Sequence, residues 1–584
     1  MTHSGYVPAS SRNAVPPRVL IVYANPAVTA TPVAPYGAER IAHAFRVAGC
    51  EAQVVSPWLQ WKPAQALDAA LDTFRPDLVG FSVRNVDDAL VVRSAEGAGD
   101  LDTTFYLPAI RRLVRRVQAR NIPILLGGAA LATMPEGVMR YLRVPHAILG
   151  PADDLVWRLG RALAQGTPFP AALPSDPRVA TLGALAVPDR TRGDADAWRP
   201  VPGPTPRQPE WLALARARGG RVPVAFSAGC DRRCHFCVEA SFLGWRVRPR
   251  PVDEIVHEVT LLRRAGVRRV WLAASELNVP DARHATAVLR ALAAAKLDVE
   301  VTGFLQPAPV DDALLDAFVA VGVDPATLSW ELGHLDDALL RAGAGPANRA
   351  SLDRLLDTYV RRGHAVLGGS ILLGAHPLET DTTVDNAIAT ARMYDAALPG
   401  GLGLAYAAGG RVYPAAPLGR WVRDHRLEAA PHLYGRRSVG FVAPLVFCRP
   451  GSPRELLGRI QAGLAGCKGP MAPLNAEAAD SPAALAAEKW VNLAVLYADA
   501  ENVPAAERAA RAALRRHPDH PEALKQLGLL LANRKGDVAG ALVAFRRLAS
   551  VVTAPAHVSE VEGVIRQLVT LSATPPSAPS AEAP

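Results

Sequence analysis

The sequence predicts an α/β protein with a doubly wound parallel sheet at its N-terminal end, a partial (β/α) barrel in the middle and α-helical repeats at its C-terminal end. Apolar strand-like runs alternate with helical patterns up to residue 165, and a second alternation starts at residue 222. The segment after residue 470 shows helical periodicity only. At 584 residues the chain is long enough for three or four domains of ordinary size.

Composition narrows the class of protein. Hydrophobic residues make up 49% of the chain and charged residues 20%, which is typical of a globular protein. Six cysteines, three of them in one motif, indicate a reducing compartment, so we expect a cytoplasmic protein. No apolar run is long enough for a membrane span, and no signal peptide is recognisable. The net charge of +9 is spread along the chain without an aromatic-interleaved basic patch, which disfavours nucleic-acid binding.

The N-terminal sheet is predicted over residues 18–165, after a disordered segment at 1–17. In such a sheet ligands bind at the carboxyl ends of the strands, so the residues there are candidate ligand contacts. Adjacent glycines let a backbone approach a ligand closely, although they also occur in tight turns. The dinucleotide fingerprint GxGxxG is missing, which disfavours a nicotinamide cofactor. The candidates are Asn25, Arg84, Asn85, Asp87, Gly127, Gly128 and Gly150.

A proline-rich stretch at 166–221 is predicted to be a linker, and the barrel is predicted over residues 222–470. Polar residues at the ends of its strands should line one mouth. The candidates there are Glu276, Gln306, Ser329, Glu331 and Ser370.

Three cysteines, Cys230, Cys234 and Cys237, are spaced as CxxxCxxC with no fourth cysteine nearby. Thiolates select zinc or iron–sulfur clusters. A structural zinc site needs four ligands, so it would require His235, whose ring is expected to point away. A four-iron, four-sulfur cluster held by three cysteines instead leaves one iron open. Burial of the cysteines as small apolar side chains is the remaining alternative.

With Phe236 before the last cysteine, this motif resembles the signature of the radical S-adenosylmethionine superfamily. The resemblance implies a 4Fe-4S cluster whose open iron binds S-adenosylmethionine, with Gln306, Glu331 and Ser370 lining the same mouth. Many relatives end the second strand in Gly-Gly-Glu, whereas this chain keeps only the carboxylate of Glu276. That residue is expected either to hold the methionyl ammonium or to ligate the open iron, in which case S-adenosylmethionine acts only as an electrophilic methyl donor.

The N-terminal segment resembles the cobalamin-binding domain that precedes many radical S-adenosylmethionine domains. The shared stretches are PVAPYG at 32–37, PDLVGFSVRNVDD at 76–88, GGAALATMPE at 127–136 and ILGPADD at 148–154. They add Pro35, Tyr36 and Thr133 to the candidate cofactor contacts. The loop that supplies a lower axial histidine is missing, so the resemblance implies cobalamin without a protein histidine on cobalt and with Arg84 or a neighbour on that side.

The C-terminal segment, 471–570, resembles tetratricopeptide repeats and precedes a tail at 571–584 predicted to be disordered. Two repeats are fewer than the number that usually stands alone, so they should pack on the barrel or on a partner. The matching positions are Trp490, Leu493, Ala494 and Tyr497 with Leu524, Leu527, Gly528 and Leu531, and Ala510 and Leu514 with Ala541 and Phe545.

Together these resemblances imply a cobalamin-dependent radical S-adenosylmethionine methyltransferase of secondary metabolism, such as antibiotic biosynthesis. It would move a methyl group via methylcobalamin to an unactivated carbon of a small molecule. The layout is most similar to the enzymes that methylate tryptophan at C2, and a reductase or flavodoxin-type protein is the expected electron donor. The alternatives are a cobalamin-binding radical enzyme that rearranges or cyclises its substrate, and a non-catalytic cobalamin sensor.

Overall fold

The computed structural model describes residues 15–26, 33–60, 63–89, 91–92, 95, 101–183, 201, 203–218, 220–473, 491, 494, 498, 503–552 and 555–573. The chain divides into two compact units. Residues 1–25 and 32–476 form the first, and residues 26–31 and 477–584 form the second.

A six-stranded sheet forms the N-terminal part of the first unit. Its strands are β1 (Arg18–Tyr23), β2 (Glu51–Val55), β3 (Leu78–Ser82), β4 (Ile124–Gly127), β5 (His146–Ile148) and β6 (Val179–Thr181). They lie in the order β2-β1-β3-β4-β5-β6, and all neighbours are parallel except β5 and β6. The strand order reverses beside β1, which confirms the predicted doubly wound sheet and puts the ligand crevice at the carboxyl ends of β1 and β3.

Helices cover this sheet. Phe45, from the helix that follows β1, and Leu159, from the helix that follows β5, are buried in one cluster with Ile21 of β1. The helices are α1 (Tyr36–Val47), α2 (Pro63–Phe74), α3 (Leu107–Gln118), α4 (Ala129–Thr133), α5 (Pro135–Leu142) and α6 (Asp153–Ala164), with a 3₁₀ turn at Pro57–Leu59.

Seven parallel strands form the predicted partial barrel. They are β7 (Val222–Ala225), β10 (Arg269–Ala273), β11 (Glu300–Thr302), β12 (Ser329–Gly333), β13 (Leu367–Leu373), β14 (Leu402–Ala408) and β18 (Met471–Pro473). One sheet has the order β11-β10-β7 and the other β12-β13-β14-β18. A parallel bridge between Leu305 and Trp330 joins the two sheets, so the strands form one curved row.

Helices surround this row and bury large aromatic side chains against it. Trp330 is fully buried, and its indole N–H donates to the hydroxyl of Tyr359 at 2.8 Å, which itself donates to the carbonyl of Pro325 at 2.9 Å. The core therefore holds two bulky polar aromatics with satisfied hydrogen bonds. The helices are α7 (Pro209–Arg218), α8 (Glu239–Leu243), α9 (Val252–Arg264), α10 (Arg283–Ala294), α11 (Asp312–Ala320), α12 (Asp337–Arg341), α13 (Arg349–Arg361), α14 (Asp381–Ala397), α15 (Pro417–Asp424), α16 (Arg426–Ala429) and α17 (Pro453–Leu464).

Smaller elements shape the mouth of the barrel. They include the strands β8 (Ser227–Ala228), β9 (Arg248–Pro249), β15 (Gly410–Arg411), β16 (Leu433–Gly435) and β17 (Leu445–Phe447). The last three form an antiparallel sheet in the order β15-β17-β16. Beside it, a cluster of Val412, Leu445 and Phe447 buries Leu418 and Val422 of α15. The segment 166–221, predicted to be a linker, contains β6 and α7.

The second unit contains helices Val503–Arg516, Pro521–Lys535, Val538–Val551 and Pro555–Ala573. A side chain at Gly528 would start 2.6 Å from the ring of Phe545, so glycine lets the second and third helices approach closely. Trp490, Leu493 and Tyr497 lie outside the described residues. Among the described helices, none has both the length and the apolar composition that crossing a bilayer requires.

Candidate active site

The cysteine loop leaves the first barrel strand through a turn that only glycine fits. Gly229 has φ +97°, and a Cβ there would lie 2.0 Å from the carbonyl oxygen of Arg246. The short pairing of β8 with β9 holds this turn, and the N–H of Cys230 donates to the carbonyl of Gly244 at 3.0 Å. The sequence therefore places the first cysteine at a fixed point after the strand.

All three cysteines line one cavity of about 910 Å³. Burial raises the pKa of the thiols of Cys230 and Cys237 to about 12 and also raises that of Cys234, and neighbouring acidic groups add to this effect. Without a metal the thiols therefore stay protonated at neutral pH. Ligation has to release their protons, so iron binding should be coupled to pH.

His235 does not face the thiols as a fourth ligand would. Its ring packs on that of His376 with centroids 4.4 Å apart, and burial lowers its pKa to about 4. Within the described part of the chain, no three His, Cys, Asp or Glu side chains are arranged to hold a single metal ion. This arrangement disfavours the zinc alternative.

Glu276 lies just past the carboxyl end of β10 and lines the same cavity. Its Oε2 is 4.0 Å from the Sγ of Cys230. Burial, followed by repulsion from Glu239 and Glu331, raises the pKa of this carboxyl group to about 7. A cation near the cysteines would therefore find a carboxylate ready to ionise beside it.

The other predicted barrel contacts lie apart from the cavity lining, and Phe236 is also outside it. Ser370 and Glu331 are partners across β13 and β12, and the Ser370 hydroxyl donates to Glu331 Oε2 at 2.7 Å. Gln306 is fully buried, and neither side-chain amide atom has a hydrogen-bond partner. Its backbone N–H donates to Asn278 Oδ1 at 3.1 Å, which fixes the main chain there.

The N-terminal part of the first unit also contributes to the cavity lining. Thr133, Met134, Gly137 and Leu149 belong to it, and the hydroxyl of Thr133 donates to the carbonyl of Ala130 at 2.9 Å. Residues that follow β4 and β5 of the doubly wound sheet thus line the same cavity as the cysteine loop.

Gly127, Gly128 and Gly150 line a second, apolar slot of about 200 Å³ between the sheet and helices α1 and α6. Gly128 has φ +100°, and a Cβ there would lie 2.4 Å from the carbonyl oxygen of Val83. At Gly127 a Cβ would meet only the carbonyl oxygen of Ile148, at 3.9 Å. The sequence predicts the glycines as ligand contacts. It does not predict the slot itself, because α1 and α6, which are distant from each other in sequence, form its other side.

Two predicted cofactor residues join the N-terminal sheet to the barrel. Asp87 accepts a hydrogen bond at 2.9 Å from Nε of Arg411, and both residues are buried. Tyr36 donates to Oε2 of Glu258 at 3.4 Å, and its ring lies under the guanidinium of Arg207. Their side chains thus have protein partners, and a cofactor contact there stays a prediction.

The remaining predicted residues have varied surroundings. Arg84 is exposed and lies outside the lining of both cavities. Asn25 is buried, and its side-chain amide donates to the hydroxyl of Tyr23 at 3.3 Å. Pro35 is the residue before α1, and Asn85 is half-buried near the end of β3.

Sequence reasoning missed a set of arginines in the cavity wall. Three of them, on α15 and α16, are spaced three residues apart, which is a signal, but this spacing does not reveal which way their side chains face. The full set is Arg420, Arg423, Arg426 and Arg437.

Comparison with known proteins agrees with this geometry. Residues 224–391 match the Radical SAM superfamily, so this part of the chain is a radical SAM domain. The tryptophan 2-C-methyltransferase of Streptomyces laurentii is 25% identical over 358 residues, which are 51% of this chain and 57% of that protein. The ribosomal protein uS12 methylthiotransferase RimO of Kineococcus radiotolerans is 34% identical over 245 residues, 38% of this chain and 47% of that protein. The matched regions thus span about half the length of these relatives.

Two solved structures share the fold. The radical S-adenosylmethionine methyltransferase TsrM of Kitasatospora setae, with tryptophan and a S-adenosylmethionine analogue bound, has a TM-score of 0.62 at 21% identity, over 77% of this chain and 89% of that chain. The cobalamin-dependent radical enzyme OxsB, with aqua-cobalamin and S-adenosylmethionine bound, has a TM-score of 0.56 at 12% identity, over 95% of this chain and 84% of that chain. The predicted resemblance to cobalamin-dependent radical S-adenosylmethionine enzymes is confirmed at the level of the fold.

Proposed function

We propose that the chain is a cobalamin-dependent radical S-adenosylmethionine methyltransferase that methylates a carbon atom of a small molecule. One observation carries the proposal. One cavity of about 910 Å³ is lined both by the three cysteines and Glu276 and by residues 132–137 and Leu149, which follow strands of the doubly wound sheet. A cofactor held by the sheet would thus face a cluster held by the cysteines.

Cys230, Cys234 and Cys237 fit a 4Fe-4S cluster with one open iron. The thiols share a cavity, and His235 is turned to His376. When bound, such a cluster supplies an iron site for S-adenosylmethionine and single electrons. Glu276 is near enough to Cys230 for either proposed role, as partner of the methionyl ammonium or as an oxygen ligand to iron.

The N-terminal sheet fits a corrinoid with an extended nucleotide tail. Thr133 and the residues after it would border the ring in the large cavity, and the slot lined by Gly127, Gly128 and Gly150 would take the tail. When bound, cobalamin supplies a carrier for a methyl group. No histidine occurs among the described residues that line either cavity, so we propose a cobalt without a protein histidine.

The chain's own residues then position reactants and exclude water. Gln306 lies outside the cavity lining, but its buried amide has an unused donor and acceptor, so we propose it as a partner for a polar group of S-adenosylmethionine. Glu331, held by Ser370, adds negative charge near Glu276, so a cationic group is favoured between them. Tryptophan is the first substrate to test, because the relative of Streptomyces laurentii is named for methylating it. The proposed setting is secondary metabolism with a reductase or flavodoxin-type electron donor.

Methylthio transfer is a second candidate, favoured by the 34% identity to the uS12 methylthiotransferase. That reaction also inserts sulfur, which needs a further sulfur-bearing group. Outside the motif the chain has only Cys50, Cys448 and Cys467, which are far apart in sequence. Cys50 and Cys448 are buried, and burial raises the pKa of both thiols. The large cavity is better explained by a corrinoid.

The test is anaerobic reconstitution with iron, sulfide and cobalamin, followed by turnover with methyl-labelled S-adenosylmethionine, a reductant and tryptophan or a panel of small molecules. We expect S-adenosylhomocysteine together with a product heavier by one labelled methyl group. The Cys234→Ala variant should lose both, whereas Cys467→Ala, outside the motif, should keep them. A methylthio product would favour the second candidate. Cobalamin uptake without any product across the panel would indicate a sensor.

Formation of 5′-deoxyadenosine separates the two uses of S-adenosylmethionine. Its appearance in step with product indicates radical cleavage, and product without it indicates polar methyl transfer. Appearance of 5′-deoxyadenosine with a rearranged, unmethylated product would instead support a non-methylating radical enzyme.

A further inference from the structure

One wall of the active-site cavity carries more positive charge than the proposed cofactors need. Arg420, Arg423, Arg426 and Arg437 line it, and the three cysteines line the same cavity. None of the four forms an ion pair with a carboxylate among the described residues, whereas about half of the other described arginines of the first unit do. Arg420, Arg426 and Arg437 are exposed and Arg423 is half-buried. Four guanidinium groups gathered along one cavity give it a positive potential, which favours an anionic ligand.

The wall is fixed relative to the cysteine loop. Helix α15 buries Leu418 and Val422 in the antiparallel sheet, and Trp421 packs edge-on against Phe447 with ring centroids 5.5 Å apart. The N–H of Leu418 donates at 2.9 Å to the carbonyl of His235, which lies between the second and third cysteines. The arginine side of this helix pair is therefore held toward the cluster site.

Acidic groups in the same lining are few, and some have partners already. They are Glu136, which pairs with Arg140, together with Glu239 and Glu276. Arg232 pairs with Asp231, and Arg233 lies over the ring of Trp245, 5.0 Å from its centroid. Asp424 and Glu428 lie on the same helix pair but outside the cavity lining, so the lining carries more arginines than carboxylates.

Arginine presents a planar fork that binds carboxylate and phosphate with two hydrogen bonds. S-adenosylmethionine carries one carboxylate and cobalamin one phosphodiester, so two such anions leave arginines to spare. Resting on the proposed function, we propose that the substrate of this site carries at least two negative charges near the reacting centre, as a phosphate ester or a dicarboxylate does. Tryptophan, with no net charge, would then be a poor substrate.

The experiment is isothermal titration of phenyl phosphate into the full-length chain, reconstituted with cluster and cobalamin and saturated with S-adenosylmethionine. Phenyl phosphate is largely a dianion at neutral pH. We expect it to bind at least about tenfold more tightly than tryptophan, and the double variant Arg423→Gln/Arg426→Gln to weaken it at least about tenfold. Arg426→Lys, which keeps the charge but loses the fork, should give an intermediate value.

The matched control is Arg264→Gln, an exposed arginine of α9 outside the cavity, which should change binding by less than about twofold. Equal weakening in the control and the double variant would overturn the proposal, because it would indicate only the general positive field of the chain. Competition between phenyl phosphate and S-adenosylmethionine, or loss of cobalamin absorbance in the double variant, would assign the arginines to a cofactor. Binding of an acidic flavodoxin with no binding of phenyl phosphate would assign them to a protein partner.

Failure of the proposed function has a different signature. It would show as absence of cluster or cobalamin uptake, or of S-adenosylhomocysteine, in the unsubstituted chain. Phenyl phosphate binding to that chain can be measured in either case.

Discussion

Glu276 combines the features that a reactive carboxyl group needs at a cluster site. Its Oε2 is 4.0 Å from the Sγ of Cys230, it lines the cavity, and burial, followed by repulsion from neighbouring acidic residues, raises its pKa. Both of its proposed roles depend on a negative oxygen, whether toward an ammonium or toward iron. A neutral amide of the same shape should fail in either role.

We therefore expect Glu276→Gln to lower the rate of S-adenosylhomocysteine formation at least about a hundredfold while the cluster is retained. Glu276→Asp should keep part of the activity because it keeps the charge. Electron paramagnetic resonance of the reduced cluster, with and without S-adenosylmethionine, distinguishes the roles. An iron ligand alters the signal before S-adenosylmethionine is added, whereas an ammonium partner alters it only afterwards. Full activity of Glu276→Gln would contradict both.

The same carboxyl group should make the stability of the cluster-free chain depend on pH. Its pKa is about 7 in the folded chain, above its ordinary value of 4.5. The protonated form is favoured by folding, so the stabilising contribution is fully present below pH 4.5 and is lost as pH rises through 7. Above that range the folded chain carries a buried negative charge.

Replacing Glu276 by a side chain that does not titrate should therefore stabilise the cluster-free chain at high pH. Relative to the unsubstituted chain, Glu276→Gln should gain about 3 kcal/mol in total between the two pKa values and no more above them. Melting temperature of the first unit against pH, followed by near-ultraviolet circular dichroism, gives the difference. A gain that is the same at all pH values would show that the amide acts by packing instead.

At the scale of elements, two adjacent glycines at the end of β4, Gly127 and Gly128, have different structural roles. Gly128 is required by its backbone, because φ is +100° and Val83 leaves no room for a Cβ. Gly127 has ordinary geometry and borders the apolar slot, so its missing side chain leaves space. The sequence shows only a Gly-Gly pair, and the structure separates the backbone role from the ligand role.

We expect Gly127→Leu to fill the slot and to lower cobalamin affinity at least about tenfold, while Gly127→Ala has a smaller effect. Both variants should stay folded. Absorbance titration with cobalamin measures affinity, and circular dichroism checks folding. Unchanged cobalamin binding in a folded Gly127→Leu variant would show that the slot does not receive the tail.

At the scale of the whole molecule, buried ion pairs fix the N-terminal sheet on the barrel. Asp87 and Arg411 are 324 positions apart in the chain and meet at 2.9 Å with both side chains buried. Arg411 also donates to the carbonyls of Val412, Leu445 and Phe441. Because Asp87 follows β3 of the N-terminal sheet and Arg411 belongs to β15 beside the barrel, the pair ties these two parts of the first unit together.

Replacing Asp87 by Asn should leave a buried guanidinium without its charge partner and cost about 3 kcal/mol of unfolding free energy. The exposed pair Asp337 with Arg341 provides the control, and Asp337→Asn should cost less than about 1 kcal/mol. Urea denaturation followed by tryptophan fluorescence measures both. If both substitutions lowered the free energy of unfolding by the same amount, the buried pair would stabilise the chain no more than the exposed pair does.

The sequence alone determined the features that depend on neighbours in the chain. The CxxxCxxC spacing and Gly229 define a cluster loop within a few residues, and alternating apolar runs fix which strands form. Only the tertiary structure decided which strand-end residues meet a ligand and which meet the other domain. Asp87, predicted from its strand end as a cofactor contact, faces Arg411, and the four arginines of α15, α16 and the following loop face the cavity. Those outcomes depend on how two separately predictable domains pack, and no local pattern encodes the distance between them.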